Sequence, residues 1–167
     1  MTDTGRLIRR LVTIAVLTAI LETAKFALNT IANVELITLL IILFTRKFGG
    51  RITMASVFLF TLLETMWWGL SIWTVTYFYV WPLLVFLTVL FRNRESLLFW
   101  SIFSAFYGLF FGALCALTTL ITAGANAALA WWIAGISYDI VHCVSNFIIC
   151  MILFLPLSKA LEHIQIP

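Results

Sequence analysis

The feature that most constrains this chain is an apolar run from Ala127 to Leu157 that carries a single stripe of polar and small residues. At helical spacing the members of the stripe fall on one face, three or four residues apart: Trp132, Gly135, Asp139, His142 and Asn146. An ionisable group inside such a run is costly unless it faces protein or water. We therefore interpret this face as one wall of a ligand cavity inside a helical membrane protein.

Composition supports a membrane protein. The 167 residues are 63% hydrophobic and only 10% charged, whereas soluble domains are about 45–50% apolar and about 25% charged. The first residues resemble a signal peptide, but their apolar run continues past the length of a signal sequence and no small-residue cleavage site follows promptly. We interpret this segment as a first transmembrane helix.

The breaks between apolar runs predict the number of helices. A membrane-spanning helix needs about 20 apolar residues, and clusters of charge, Gly, Pro or Asn mark the loops. The chain is predicted to form one all-α domain over residues 1–167 with six transmembrane helices: roughly 8–28, 34–45, 52–67, 73–91, 97–122 and 128–156. The second helix is short for a complete span, and Pro82 is expected to kink the fourth.

Basic residues predict the orientation. Six spans place nine of the ten Lys and Arg residues on the side of the N-terminus. The positive-inside rule therefore predicts that both termini of this multi-pass membrane protein are cytoplasmic. The tenth basic residue, Lys25, lies three residues from Glu22 within the first helix, and this spacing predicts an intramembrane ion pair.

Carboxylates give the strongest functional signal. Glu22, Glu35, Glu64 and Asp139 all map to the middle or outer half of the membrane, where Lys25 is the one basic residue. Burying carboxylates is costly, so some of them are expected to face a wet cavity or a polar ligand. The alternative is that they are protonated and hydrogen-bonded between helices. An excess of acids favours a cationic, amide-rich or hydroxyl-rich ligand.

Aromatic and small residues define two further surfaces. Trp and Tyr at the outer level form either an interfacial belt or the walls of a pocket, and Glu64, Trp67 and Trp68 share one helical face. The spacings Ala15-x-x-x-Ala19 and Gly108-x-x-x-Gly112 let helices approach closely. Such spacing does not separate packing within the chain from docking onto another subunit.

Catalytic and nucleotide-binding motifs are missing from the sequence: it contains no H-E-x-x-H, G-x-S-x-G or G-x-x-x-x-G-K-[ST]. Two histidines do not favour a metal site within one chain. We predict neither catalytic residues nor a metal, and neither a covalent cofactor nor a nucleic-acid partner. Asp139 and His142 remain an alternative proton-transfer pair for a membrane enzyme.

The chain resembles the substrate-binding (S) components of energy-coupling factor (ECF) vitamin transporters. The resemblance covers the size, the six predicted helices and Ala15-x-x-x-Ala19, and locally Asn33-Val34-Glu35-Leu36, Trp67-Trp68-Gly69, Tyr79-Val80-Trp81 and Asp139-Ile140-Val141-His142. It implies capture of a vitamin, cobalamin being the best guess, from outside the cell. It also implies docking onto a transmembrane coupling subunit and two ATPase subunits, which alone use ATP.

The resemblance implies roles for individual residues. Ala15 and Ala19 would face the coupling subunit, and the segment from Asn29 to Asn33 would gate the pocket. The substrate-binding residues would be Glu35, Glu64, Trp67, Trp68, Tyr77, Tyr79, Trp131, Trp132, Asp139, His142 and Asn146. His142 and Asn146 lie deep in the membrane, so the alternative for them is to tie the sixth helix to its neighbours. A stand-alone transporter with Glu22/Lys25 and Asp139/His142 as a relay is the alternative function.

Overall fold

The computed structural model describes residues 2–162 and residue 164. Over these residues the chain is helical without a β-strand, which confirms the predicted all-α class. The seven helices are α1 Asp3–Leu28, α2 Ile37–Phe48, α3 Gly50–Trp68, α4 Ile72–Leu90, α5 Leu97–Leu109, α6 Phe111–Ala123 and α7 Ala125–Glu162. The two ends of the predicted domain, Met1 and 165–167, lie outside the described residues.

Helix boundaries differ from the predicted ones where side chains cap or interrupt a helix. The first helix begins at Asp3 because the Thr2 side chain accepts a hydrogen bond from the amide of Gly5, at 3.3 Å. The predicted fifth helix is interrupted at Phe110 and forms α5 and α6. The predicted sixth helix extends at both ends and continues through Pro156.

The second helix begins three residues later than predicted. Asn33 adopts a left-handed backbone conformation with φ of 58°, which Asn tolerates better than most residues. The Glu35 side chain then accepts a hydrogen bond from the amide of Thr38, at 2.8 Å, so it satisfies one of the free amides at the start of α2. We call the non-helical residues 29–36 the connector.

Within the part of the chain that the structure describes, four helical segments are long and apolar enough to cross a membrane: α1, α4, α5 together with α6, and α7. The 12 residues of α2 extend only about 18 Å at 1.5 Å per residue, which is less than the hydrocarbon thickness of about 30 Å. The protein therefore has the long apolar helices of a multi-pass membrane protein.

The position of α2 explains how so short an apolar helix is accommodated. Every residue from Ile37 to Thr45 is buried, and α2 contacts α1, α3, α4, α5 and α7. By contrast α1 buries only Leu17, Thr18, Leu21 and Ala24, because it packs on one side only, against α3 and α2. The core is thus organised around α2, and α1 lies at the periphery.

Tight packing between α7 and the α5–α6 pair depends on two glycines. A Cβ atom at Gly108 would lie 2.9 Å from the backbone of His142, and one at Gly112 would overlap the Asp139 carboxylate. Asp139 Oδ1 accepts a hydrogen bond from the amide of Gly112, at 2.9 Å, and Asn146 Nδ2 donates to the carbonyl of Ser104, at 3.4 Å. We call these contacts the α7 seam. The Gly108-x-x-x-Gly112 spacing therefore serves packing within the chain.

Candidate ligand cavity

One cavity of about 610 Å³ opens at the end of the bundle where α1 finishes. Its walls come from the last turn of α1, the connector, the facing ends of α3 and α4, and single residues of α6 and α7. The volume lies within the range of about 300–1,000 Å³ that is typical of sites for drug-sized ligands. Both charged and aromatic side chains line it, so it is the candidate functional site.

Lys25 organises one end of the cavity. Its Nζ lies 2.9 Å from Glu64 Oε2 and donates a hydrogen bond to the hydroxyl of Tyr77, at 2.8 Å. All three residues line the cavity. The predicted pairing of Lys25 with Glu22 is therefore wrong: the partner is Glu64 of α3, because Lys25 points into the bundle rather than along its own helix.

A further acidic residue of α1, Glu22, lies beside the Lys25–Glu64 pair. It lies three residues before Lys25 on α1, near the Glu64 carboxyl. Oε1 of each residue is buried and has no hydrogen-bond partner among the described residues. Two carboxyl groups and one lysine therefore lie in this part of the bundle.

Glu35 and His142 form the second pair of polar side chains in the cavity. Glu35 Oε1 lies 3.2 Å from His142 Nε2, while Glu35 Oε2 accepts the hydrogen bond from Thr38 described above. One carboxylate thereby joins the connector, the start of α2 and the middle of α7. The lining of the cavity includes both Glu35 and His142.

A row of aromatic rings leads from the Lys25–Glu64 pair to the Glu35–His142 pair. The ring centroids of Tyr77 and Trp81 are 5.5 Å apart, those of Trp81 and Phe111 are 5.5 Å apart, and those of Phe111 and His142 are 5.0 Å apart. Each of the four side chains lines the cavity. We call this row the aromatic floor.

Exposure differs within each pair and determines which charge a ligand would meet. The Lys25 side chain is 26% exposed and that of Glu64 is 2% exposed. In the other pair Glu35 is 18% exposed and His142 is 5% exposed. The accessible groups are therefore an ammonium at one end and a carboxylate at the other.

The connector covers the cavity and is tied to α7. Asn33 Nδ2 donates a hydrogen bond to the carbonyl of Tyr138, and Ser145 Oγ donates to the carbonyl of Asn33, both at 2.8 Å. Asn29 and Asn33, the two predicted gating residues, both line the cavity. Only the Asn33 end of the connector has these two hydrogen bonds to α7.

Five of the predicted substrate-binding residues line the cavity: Glu35, Glu64, Trp68, Tyr77 and His142. Trp131 lies beside them, since its ring is 5.5 Å from that of Trp73, a further lining residue. Their role in binding stays a prediction. Ala15 and Ala19, the predicted docking residues, are exposed on the outer face of α1.

Five other predicted substrate-binding residues lie outside the cavity. Trp67 is 71% exposed and packs against Phe26, and Trp132 is also on the surface. The Tyr79 hydroxyl donates to the carbonyl of Leu114, at 2.6 Å. Asp139 and Asn146 belong to the α7 seam. For Asn146 this agrees with the alternative given above, in which it ties the last helix to its neighbours.

These positions separate Asp139 from His142. Asp139 is hydrogen-bonded to α6 and His142 is paired with Glu35. No hydrogen bond joins the Asp139 and His142 side chains, and a proton-transfer role for the two stays a prediction.

Sequence reasoning missed four of the charged and aromatic lining residues. Lys25, Trp73, Trp81 and Phe111 belong to the cavity, yet none was predicted as a substrate-binding residue. The signal for Lys25 was present, because it is the one basic residue among four membrane-level acids. Phe111 gave no signal, since it is one of several phenylalanines in an apolar run.

Comparison with protein-family models, with curated proteins and with solved structures finds no match to this chain.

Proposed function

We propose that this protein is the membrane-embedded substrate-binding subunit of an ECF-type importer of the bacterial plasma membrane, and that it captures a vitamin-like molecule from outside the cell. The observation that carries the proposal is the cavity itself. It combines the Lys25–Glu64 and Glu35–His142 pairs with an aromatic floor, and the connector lines it at one end of a helical bundle. A few convergent polar groups in an apolar pocket are typical of small-molecule sites.

The proposal includes six spans with both termini in the cytoplasm. The distribution of basic residues supports this orientation. Under it, α2 would cross the membrane within a shell of other helices, and α5 with α6 would form one interrupted span. The cavity would then open toward the outside.

The proposal also includes docking onto a transmembrane coupling subunit that carries two ATPases. Ala15 and Ala19 support it, because they are exposed on the helix with the smallest buried share, and small residues allow close approach of a partner helix. Ala15→Trp should abolish copurification with the coupling subunit while ligand affinity is kept. Ala27→Trp, exposed on the same helix, is the control. Copurification that survives Ala15→Trp would contradict the docking surface.

Cobalamin stays the predicted vitamin on resemblance alone. The cavity of about 610 Å³ matches drug-sized ligands, and a corrinoid is far larger. Binding of cobalamin would therefore require the connector to move aside and leave much of the ligand outside the cavity.

The decisive test is mass spectrometry of small molecules that copurify with the detergent-solubilised protein. Affinity is then titrated by tryptophan fluorescence, which reports on Trp68, Trp73 and Trp81 in the cavity wall. We expect one stoichiometric vitamin-like molecule. A protein that purifies empty and ignores a vitamin panel, cobalamin included, would contradict the proposal.

One observation favours a second candidate, a stand-alone proton- or cation-coupled transporter. Glu22 and Lys25 lie in α1, a candidate membrane span, and Lys25 is paired with Glu64 of α3. Charged groups inside a membrane often mark proton or ion pathways. Proteoliposomes that contain this protein alone distinguish the two candidates. Concentrative uptake driven by an ion gradient would favour the stand-alone transporter.

A further inference from the structure

We propose that the cavity takes a planar heteroaromatic ligand with a carbonyl or carboxylate group at the Lys25 end and an N–H donor group at the Glu35 end. This inference rests on the proposed function and specifies its ligand. Of the cationic, amide-rich or hydroxyl-rich ligands that the excess of acids favoured, it disfavours the cationic class, because the structure shows which of those acids are already engaged.

The Lys25 end offers a positive charge. Glu64 is 2% exposed and is paired with Lys25, and Glu22 adjoins Glu64. Neither of these acids presents an open carboxylate to the cavity. Lys25 is the exposed member of the pair, and an ammonium has three donors, of which Glu64 and Tyr77 take two. The third is available to an acceptor on the ligand.

The Glu35 end offers a negative charge. Glu35 is more exposed than His142, and its oxygens accept from His142 and Thr38. An ionised carboxylate has about four lone-pair sites, so it retains room for a donor from the ligand. The two ends therefore select a ligand by its orientation, since a reversed ligand would place like charges together.

The aromatic floor selects a flat ligand. Three ring-to-ring steps of 5.0–5.5 Å lead from Tyr77 to His142. Aromatic rings prefer offset-stacked or edge-to-face contacts, and a planar heterocycle presents both a face and an edge to such a row. A saturated chain with the same end groups would satisfy the charges but not this surface.

A panel of vitamins and nucleobase-like metabolites tests the inference on the intact protein in detergent. Before measurement the compounds are sorted into planar rings with both end groups, rings with one end group, non-planar compounds with both, and corrinoids. We expect the tightest binder to come from the first class, with at least tenfold higher affinity than the other classes. A tightest binder from another class would overturn the ligand assignment and leave the proposed function standing, whereas no binder in any class would overturn the proposed function.

Two variants test the end groups with the tightest binder. Lys25→Gln removes the charge but keeps donors for Glu64 and Tyr77, and Glu35→Gln removes the carboxylate. Each should weaken binding at least tenfold, and the loss for Lys25→Gln should vanish for an analogue that lacks the acceptor group. Lys25→Met/Glu64→Gln is the second variant if Lys25→Gln does not fold. Tyr79→Phe, outside the cavity, is the control. Affinities within twofold of the unmodified protein for both end-group variants would overturn the inference.

Discussion

The cavity and the α7 seam both place acidic and amide side chains inside the bundle, but their hydrogen-bond partners differ. In the seam, Asp139 and Asn146 bind backbone groups of α6 and α5. In the cavity, Lys25 binds two other side chains, and Glu35 binds the His142 side chain as well as the Thr38 amide. Asp139 and Asn146 are buried between helices and hold the fold together, whereas Lys25 and Glu35 remain partly exposed beside open space and are available to a ligand.

The largest expected effect on stability comes from breaking the Lys25–Glu64 ion pair of the cavity. Lys25→Met should lower the free energy of unfolding by about 3 kcal/mol, since removing one partner of a buried pair leaves the other charge uncompensated. Lys25→Met/Glu64→Gln should recover most of this loss. Unfolding in mixed micelles, followed by tryptophan fluorescence, measures both. Equal losses for the single and the double variant would show that the pair does not stabilise the fold.

The next effect belongs to the seam and does not depend on charge. Gly108→Ala should lower the free energy of unfolding by about 2 kcal/mol, because a Cβ atom there would meet the His142 backbone at 2.9 Å and overpacking is destabilising. Gly135→Ala on α7 is the matched control, since a Cβ atom at that position meets nothing within 4 Å. The control should be neutral or stabilising by up to about 1 kcal/mol. If both variants behave alike, the close approach at Gly108 is not tight.

A smaller effect tests the role of the carboxylate in the seam. Asp139→Ala should lower the free energy of unfolding by about 1 kcal/mol, because the amide of Gly112 loses its acceptor. The loss is small since Asp139 Oδ2 is itself buried without a partner among the described residues. Asp139→Asn keeps an acceptor and should cost less. Ligand affinity should be unchanged in both variants, and a selective loss of affinity would move Asp139 from the seam into the site.

The smallest effect has the opposite sign. Glu22→Gln should raise the free energy of unfolding by about 0.5 kcal/mol, because Glu22 Oε1 is buried without a partner among the described residues and a neutral amide costs less to bury than a carboxylate. Glu22→Ala, which removes the polar group and its packing together, is the comparison. The same micelle unfolding experiment measures both. A loss of stability with Gln would contradict this explanation.

The positions of the helices followed from the sequence, because apolar length and charged breaks are local properties. The interruption at Phe110 did not, since Phe110 is as apolar as its neighbours. The polar groups that bind on either side of it, Asp139 and Asn146, come from a distant part of the chain. The late start of α2 depends on the Asn33 backbone conformation and on the Glu35 cap, which the hydrophobic pattern does not record.

The sequence predicted the kinds of residue in the candidate site, acidic and aromatic, better than it predicted which particular residues line the cavity. Glu64 and Trp68 line the cavity while Trp67, their neighbour on the predicted face, is exposed to the outside. Helical spacing shows which residues share a face, but the packing of the neighbouring helices determines which residues of that face line the cavity and which are exposed. Lys25 was assigned to Glu22 because sequence spacing reveals partners on the same helix, whereas Glu64 reaches it from another.

The two hydrogen bonds that join Asn33 to α7 have a kinetic consequence. Under the proposed function, any molecule that enters or leaves the cavity passes the connector. The bonds of Asn33 with Tyr138 and Ser145 must then break for exchange and re-form afterwards, whether or not the cavity is filled. They therefore slow entry and exit by the same factor and leave the equilibrium constant unchanged. The two hydrogen bonds of Asn33 thus set the residence time of the ligand rather than its affinity.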